Sequence, residues 1–155
     1  MKFKANLAWV NGTWTPNVLL ESDEHGLWSC IKLDATDIES EGALKLGCVL
    51  PGLVNAHSHA FQRAIAGLTE YSEQSGDDFW SWRDRMYRVA LTIGPDHLES
   101  IATWLYSEML KSGYTHVCEF HYLHRNPDGV EYADPFEMTW ALVRAADKTG
   151  IGLTM

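Results

Sequence analysis

The spacing of apolar residues divides the chain into a β-rich part and a part that mixes strands with helices. Apolar and polar residues alternate from Lys2 to Trp9, the period-two pattern of a half-buried strand. Asn11-Gly12 follows directly and predicts a tight hairpin turn. Apolar runs at 18–20 and 27–31 predict further strands. Residues 1–47 are therefore predicted to form a small β-unit of the β-sandwich-like kind, without chemistry of its own.

From about residue 78 onward the apolar residues recur with the period of an α-helix. Asp77 or Asp78 can cap a first helix that runs to about Ala90. A second helix begins at Pro95, in a position where proline is well tolerated, and stops before Gly113. Its apolar positions lie at the spacing of one helix face: Leu98, Ile101, Ala102, Leu105, Tyr106, Met109 and Leu110.

A third helix is predicted after a loop rich in Asn, Asp, Gly and Pro. Asp134 would be its N-cap, Pro135 its first residue and Glu137 its third. Phe136, Trp140 and Val143 would form its apolar stripe.

Strands are predicted between these helices. Residues 114–122 and 151–155 are apolar and short, and the helices alternate with them. Strands separated by helices pair in parallel through right-handed crossovers, so the fold class is α/β. Within the strand 114–122, alternation would place Glu119 and His121 on one face and Phe120 and Tyr122 on the other. The chain ends inside a predicted strand, so we expect it to be the N-terminal portion of a larger protein.

Composition excludes several classes of function. The formal net charge is −9, and the twelve basic residues form no basic run, so binding to nucleic acid or to an anionic membrane is not expected. Cys30, Cys48 and Cys118 are odd in number and widely spaced, which predicts reduced thiols in a cytoplasmic protein. No apolar run is long enough for a signal peptide or a membrane span.

The chemistry concentrates in residues 48–63. An apolar run there passes through Pro51-Gly52 and delivers His57 and His59 with one residue between them. Alternate residues of a strand point to the same face, about 6 to 7 Å apart, so both imidazoles can approach one metal ion. The alternative is a chance His-x-His in a loop that binds nothing.

Residues 51–59, Pro-Gly-Leu-Val-Asn-Ala-His-Ser-His, resemble the first barrel strand of the amidohydrolase superfamily. Further matching segments lie at 57–64, 67–70, 79–83 and 113–124. In that superfamily a small N-terminal β-unit precedes a metal-dependent (β/α)₈ barrel. The resemblance therefore implies that residues 48–155 supply the first β/α units of such a barrel, which is incomplete because a whole one needs about 250 residues.

The resemblance also implies an activity and a set of site residues. The activity is zinc-dependent hydrolysis of N-formimino-L-glutamate to N-formyl-L-glutamate and ammonia, in histidine degradation. His57 and His59 would be two ligands of the one divalent ion. Gln62 and Tyr122 would contact the substrate, and Arg83 would pair with a carboxylate of this small dicarboxylate, for which a guanidinium is well suited. Each of these three has a plainer alternative: a surface glutamine, a solvated arginine and a core tyrosine.

The remaining ligands and the acid–base residues would come from barrel strands after Met155. No catalytic residue is therefore assigned within residues 1–155, and these residues alone are expected to be inactive. Two other functions stay open. One is a superfamily deaminase or chlorohydrolase that acts on a heteroaromatic ring and has no need of Arg83. The other is a non-catalytic β/α binding module with incidental histidines. A homodimer is the assembly to test.

Overall fold

The structure, a computed structural model, describes residues 1–69 and 78–155. The chain divides into two compact units, residues 1–51 and residues 52–155. Cys48 and Val49, which the sequence assigned to the second domain, lie in the first unit because their strand pairs with the first strand of the chain. The apolar run 48–59 is therefore two strands, interrupted at residues 50–52.

The first unit is one mixed sheet. Its four strands are β1 (Lys2–Val10), β2 (Thr13–Ser22), β3 (Trp28–Lys32) and β4 (Leu44–Val49). They are arranged in the order β3-β2-β1-β4, with β4 parallel to β1 and the other pairs antiparallel. The predicted hairpin is confirmed, with Asn11 and Gly12 both at positive φ (51° and 79°). A two-sheet sandwich is not confirmed, because residues 1–51 supply strands for a single sheet only.

Lys4 departs from the alternation that the sequence predicted for β1. It is buried rather than solvated. Its ammonium group donates to the carbonyl oxygens of Ala35 and Asn17, the latter at 3.4 Å. These bonds compensate for the loss of water around the charge and attach the 34–42 loop to the sheet.

The second unit alternates strands with helices. Its elements are β5 (Leu53–Ser58), a 3₁₀ helix (Ala60–Ile65), α1 (Phe79–Ala90), α2 (Pro95–Lys111), β6 (Tyr114–Glu119), α3 (Glu137–Thr149) and β7 (Gly152–Thr154). The three strands form a parallel sheet in the order β5-β6-β7, as predicted. The 3₁₀ helix, all three α-helices and the sheet share one buried apolar core.

The first two helices begin and end as the sequence predicted. Asp78 caps α1 by accepting from the backbone amides of Trp80 and Ser81, and the Ser81 hydroxyl completes the capping box. Asp77, the other predicted cap, lies outside the described residues. After α2, Gly113 adopts φ 89°, a conformation that favours glycine. None of the helices in the described ranges combines the length and apolar character needed to cross a membrane.

The third helix differs from the prediction in two respects. It begins at Glu137, because Asp134 and Pro135 form a separate turn in which the Asp134 carboxylate accepts from the Phe136 amide at 2.8 Å. The predicted stripe is also wrong at Phe136 and Trp140, which are exposed. The buried face consists of smaller residues: Met138, Ala141, Leu142, Ala145 and Ala146.

Strand β6 is shorter than predicted and ends at Glu119. Its neighbour β5 pairs only as far as Ser58, and β7 only opposite Cys118. In the part of the chain that the structure describes, neither neighbour pairs beyond these points, and residues 120–124 leave the sheet. The alternation of faces expected across Glu119 to Tyr122 therefore does not apply.

Candidate functional site

The carboxyl ends of β5 and β6 bring the predicted residues to one edge of the sheet. Ser58 lies opposite Glu119 in the register of the two strands. The Phe120 amide donates to the Ser58 carbonyl oxygen at 2.8 Å, which extends this pairing by one residue. In parallel α/β sheets, ligands bind beyond the carboxyl ends of the strands, and His57 and His59 lie at that edge.

The two histidines face each other through their Nε2 atoms. Their Nε2 atoms are 3.0 Å apart, and their ring planes meet at 83°. His59 Nδ1 is 2.9 Å from the Phe120 carbonyl oxygen. Because a carbonyl oxygen only accepts, the proton of a neutral His59 is on Nδ1, and the lone pair of Nε2 faces His57.

This arrangement is suited to provide two ligands of a metal site. Imidazole nitrogen is a preferred ligand of zinc, and a ligating histidine commonly donates its other N–H to a carbonyl oxygen, as His59 does to Phe120. A tetrahedral catalytic site has three protein ligands. Within the described ranges no group of three or more His, Cys, Asp or Glu residues could hold a metal. His57 and His59 could therefore supply two of these ligands and would not complete the site by themselves.

Gln62 and Tyr122, both predicted to contact substrate, are brought together. Gln62 Nε2 lies 3.3 Å from the Tyr122 hydroxyl oxygen and 3.6 Å from Met86 Sδ. The Tyr122 ring also stacks edge-on against His59, with centroids 5.1 Å apart. Arg63, to which the sequence assigned no role, makes a two-bond ion pair with Glu108 at 2.7 and 3.0 Å. This pair ties the 3₁₀ helix to α2.

Arg83 lies on α1 and is not in hydrogen-bond contact with Gln62 or Tyr122. Its guanidinium carbon is 5.5 Å from the Trp80 ring centroid and 5.2 Å from that of Tyr87. No carboxylate in the described part of the chain pairs with it. Tyr87 and Tyr122 both line a cavity of about 510 Å³, whose other lining residues include Phe61, Leu123 and His124. Arg83 does not line this cavity itself, so the structure does not bring it together with Gln62 and Tyr122.

Glu119 is the residue that sequence reasoning missed. Its side chain is 5% exposed, and its Oε1 accepts from the Ala60 amide at 2.5 Å. Burial raises the pKa of the carboxyl group, while the Ala60 amide and the Ser58 hydroxyl oppose the rise. Burial and the nearby Glu119 also raise the pKa of Tyr106. The available signal was a carboxylate in a strand of a predicted parallel sheet, since such sheets are normally buried on both faces.

The other histidines near β6 make separate contacts. Burial lowers the pKa of His121 to about 4, and its ring packs against His124. His116 Nε2 is 2.8 Å from the Thr154 hydroxyl oxygen, which joins β6 to β7.

The fold and the histidine pair together define a class of protein. The family model described as amidohydrolase family matches residues 48–155. The chain therefore belongs to the amidohydrolase family. It is 50% identical, over 143 residues, to the formimidoylglutamate deiminase of Pseudomonas aeruginosa, an alignment that covers 92% of this chain and 31% of that protein.

Two solved structures share this fold. A crystal structure of an amidohydrolase from Brucella melitensis is 39% identical with a TM-score of 0.92, covering 99% of this chain and 34% of that one. An atrazine chlorohydrolase from Arthrobacter aurescens, complexed with zinc, has a TM-score of 0.70 at 16% identity, covering 98% and 34%, and shows the fold alone. This chain spans about a third of the length of the relatives it matches.

Proposed function

We propose that this chain is the metal-binding N-terminal part of a zinc-dependent deiminase. The complete protein would hydrolyse N-formimino-L-glutamate to N-formyl-L-glutamate and ammonia, in histidine degradation. The observation that carries the proposal is the convergence of His57 and His59 beside the Gln62–Tyr122 pair, at the carboxyl ends of two parallel strands. The 50% identity to a formimidoylglutamate deiminase supports this choice of substrate.

The divalent ion, when bound, would lower the pKa of a water molecule toward 7 and so provide hydroxide at neutral pH. His57 and His59 would hold it through Nε2, with the Phe120 carbonyl oxygen keeping the His59 ring in the required tautomer. Gln62 and Tyr122 would orient the formimino group, because an amide and a phenol can each donate or accept a hydrogen bond.

Arg83 would bind a carboxylate of the substrate. The aromatic rings of Trp80 and Tyr87 hold its guanidinium group, and no carboxylate in the described ranges occupies it. In a protein with a net charge of −9, a dicarboxylate needs such a local cation to overcome the overall repulsion. The planar guanidinium can donate two parallel hydrogen bonds to one carboxylate.

The proposal extends to the rest of the molecule. The parallel strands β5, β6 and β7 would be the first three of a (β/α)₈ barrel, with the remaining metal ligands and the acid–base residues on later strands. The protein would work in the cytoplasm, with a small-molecule dicarboxylate as its ligand, and as a homodimer.

The test compares metal content and turnover in the complete protein. The double variant His57→Ala/His59→Ala should lose bound zinc and formiminoglutamate hydrolysis together, since two ligands are removed. A matched variant, His25→Ala/His97→Ala, removes two exposed histidines that lie elsewhere and should keep both. Unchanged zinc stoichiometry in the first variant would refute the assignment of His57 and His59 as metal ligands. Turnover of a purine or triazine in place of formiminoglutamate would support the ring-hydrolase alternative.

A further inference from the structure

We infer that Glu119 is a positioning residue that fixes the backbone around His59, and so its imidazole, by accepting a hydrogen bond from the first amide of the helix that follows. The inference rests on the proposed function. Within the described ranges, Glu119 makes no hydrogen bond to the Nε2 atoms of the two histidines or to the predicted substrate contacts. It acts instead on the backbone of the segment that carries them.

The first step concerns the start of the 3₁₀ helix. His59 is the N-cap residue of this helix, and its side chain makes no capping hydrogen bond. The first amides of a helix have no partner within the helix, and the side chain of the N-cap residue usually accepts from one of them. The His59 ring cannot do this, because its two nitrogens are directed to Phe120 and to His57.

The second step is that Glu119 satisfies the first amide of the helix, which an N-cap side chain does not reach because it accepts from the second or third amide. Its Oε1 accepts from the Ala60 amide at 2.5 Å, and both residues are buried. A buried amide without a partner costs about 1 to 3 kcal/mol, so the first turn needs this bond. The bond comes from the neighbouring strand, so it fixes the start of the helix without using the His59 side chain.

The third step is that Glu119 and Phe120 together hold three consecutive residues: Ser58, His59 and Ala60. Glu119 accepts from the Ala60 amide. The Phe120 amide donates to the Ser58 carbonyl oxygen, and the Phe120 carbonyl oxygen faces His59 Nδ1. These bonds fix the backbone on each side of His59 and the ring itself. They therefore set both the position and the tautomer of the His59 imidazole.

The test measures zinc affinity of the complete protein by competition with a chelator. Positioning partners of metal ligands typically contribute 10- to 100-fold in metal affinity. Glu119→Ala should therefore weaken zinc binding by about that factor. Glu119→Gln keeps an acceptor oxygen at the same reach and should stay within about threefold of the wild type. Glu119→Asp is one methylene shorter and should fall between them.

A matched control separates positioning from general destabilisation. Val117 lies on the same strand and is fully buried, and its partner in the neighbouring strand is Asn55 rather than Ser58, His59 or Ala60. Val117→Ala should lower the melting temperature and leave the zinc affinity of the folded protein unchanged. If Glu119→Ala does not fold, Glu119→Asp and Glu119→Gln still decide the question.

Three outcomes overturn the inference. Wild-type zinc affinity in Glu119→Ala, or in Glu119→Asp if the alanine variant does not fold, would remove the positioning role. Equal losses in Glu119→Gln and Glu119→Ala would show that the charge matters, as it would for a metal ligand. An affinity loss in Val117→Ala as large as that in Glu119→Ala would indicate stability alone. Absence of zinc from the wild-type protein is a different result, because it would refute the proposed function itself.

Discussion

At the scale of single residues, a backbone carbonyl oxygen determines which nitrogen of the His59 ring carries the proton. The Phe120 carbonyl oxygen lies 2.9 Å from His59 Nδ1 and thereby places the lone pair on the other ring nitrogen. The sequence predicted both histidines from their spacing, which is a local property. It could not predict the contact with the carbonyl oxygen. Phe120 and His59 are 61 residues apart in the sequence and meet only through the pairing of two strands.

Arg83 allows the sharpest prediction at this scale. In the complete protein, Arg83→Ala should lower kcat/KM for formiminoglutamate by roughly ten- to hundred-fold, since a hydrogen bond to a charged group contributes about 1.5 to 3 kcal/mol. Zinc content should not change. Arg83→Lys should recover only part of the loss, because an ammonium group cannot reproduce the planar fork. Steady-state kinetics of the purified variants, with metal analysis of the same samples, check this.

Arg88 provides the matched control for Arg83. It lies on the same helix and is exposed. Arg88→Ala should retain wild-type kcat/KM, so a loss confined to position 83 would show more than the removal of one positive charge. Wild-type turnover by Arg83→Ala would mean that the carboxylate is bound elsewhere, and the heteroaromatic-ring alternative would then gain weight.

At the scale of elements, Gly52 shows a cause that the sequence did not reveal. The sequence took the apolar run through Pro51-Gly52, and the structure has no strand at residues 50–52. The φ of Gly52 is not in the left-handed region, so the backbone angle does not require glycine. A Cβ atom at this position would instead lie 2.7 Å from Thr115 Cβ and would overlap the rest of that side chain.

Gly52→Ala should therefore destabilise the second unit by about 1 to 3 kcal/mol, the usual cost of overpacking. Rotation of Thr115 cannot relieve a contact that involves its Cβ, so β5 and β6 must shift at the end where they begin to pair. Urea unfolding of the complete protein, followed by a probe in this unit, measures the change.

Gly47→Ala is the control for Gly52→Ala. Gly47 lies in β4, and a Cβ atom there would meet nothing within 4 Å. This substitution should change the unfolding free energy by much less. Equal effects at positions 47 and 52 would contradict the close-approach argument and point to a general effect of replacing glycine.

The elements that sequence predicted well are those with a strong local signal. The second helix has a proline start, a glycine stop and an apolar face, and α2 runs from Pro95 to Lys111 with that face buried. The third helix was less predictable, because its large apolar residues, Phe136 and Trp140, are exposed and its alanines are buried. Close packing against α2 favours small residues there, and such a choice depends on the partner helix rather than on hydrophobicity.

The length of β6 was also beyond local prediction. Residues 114–122 have uniform strand character, and only the first six form a strand. The strand ends where its neighbours end, and this is a property of the sheet. The same limit explains why Glu119 was missed. Its role depends on Ala60, which belongs to the element after the partner strand.

At the scale of the whole molecule, the second unit exposes strand edges and large apolar side chains. Strands β5 and β7 are both at the edge of the three-stranded sheet. Large apolar side chains on this unit are more than half exposed: Leu53, Val54, Trp104 and Phe120. Unpaired strand edges and apolar patches favour association between chains. Parallel sheets in particular are normally covered on both faces.

These features predict the behaviour of the 155-residue polypeptide expressed by itself. We expect it to self-associate and to unfold without a sharp transition, since its sheet edges and apolar side chains remain exposed. We also expect no formiminoglutamate hydrolysis, because two histidines leave a catalytic zinc site one protein ligand short. Light scattering during size-exclusion chromatography, thermal unfolding and an ammonia-release assay measure the three properties. A monomer that melts cooperatively and releases ammonia would contradict both the incomplete-barrel interpretation and the placement of further ligands on later strands.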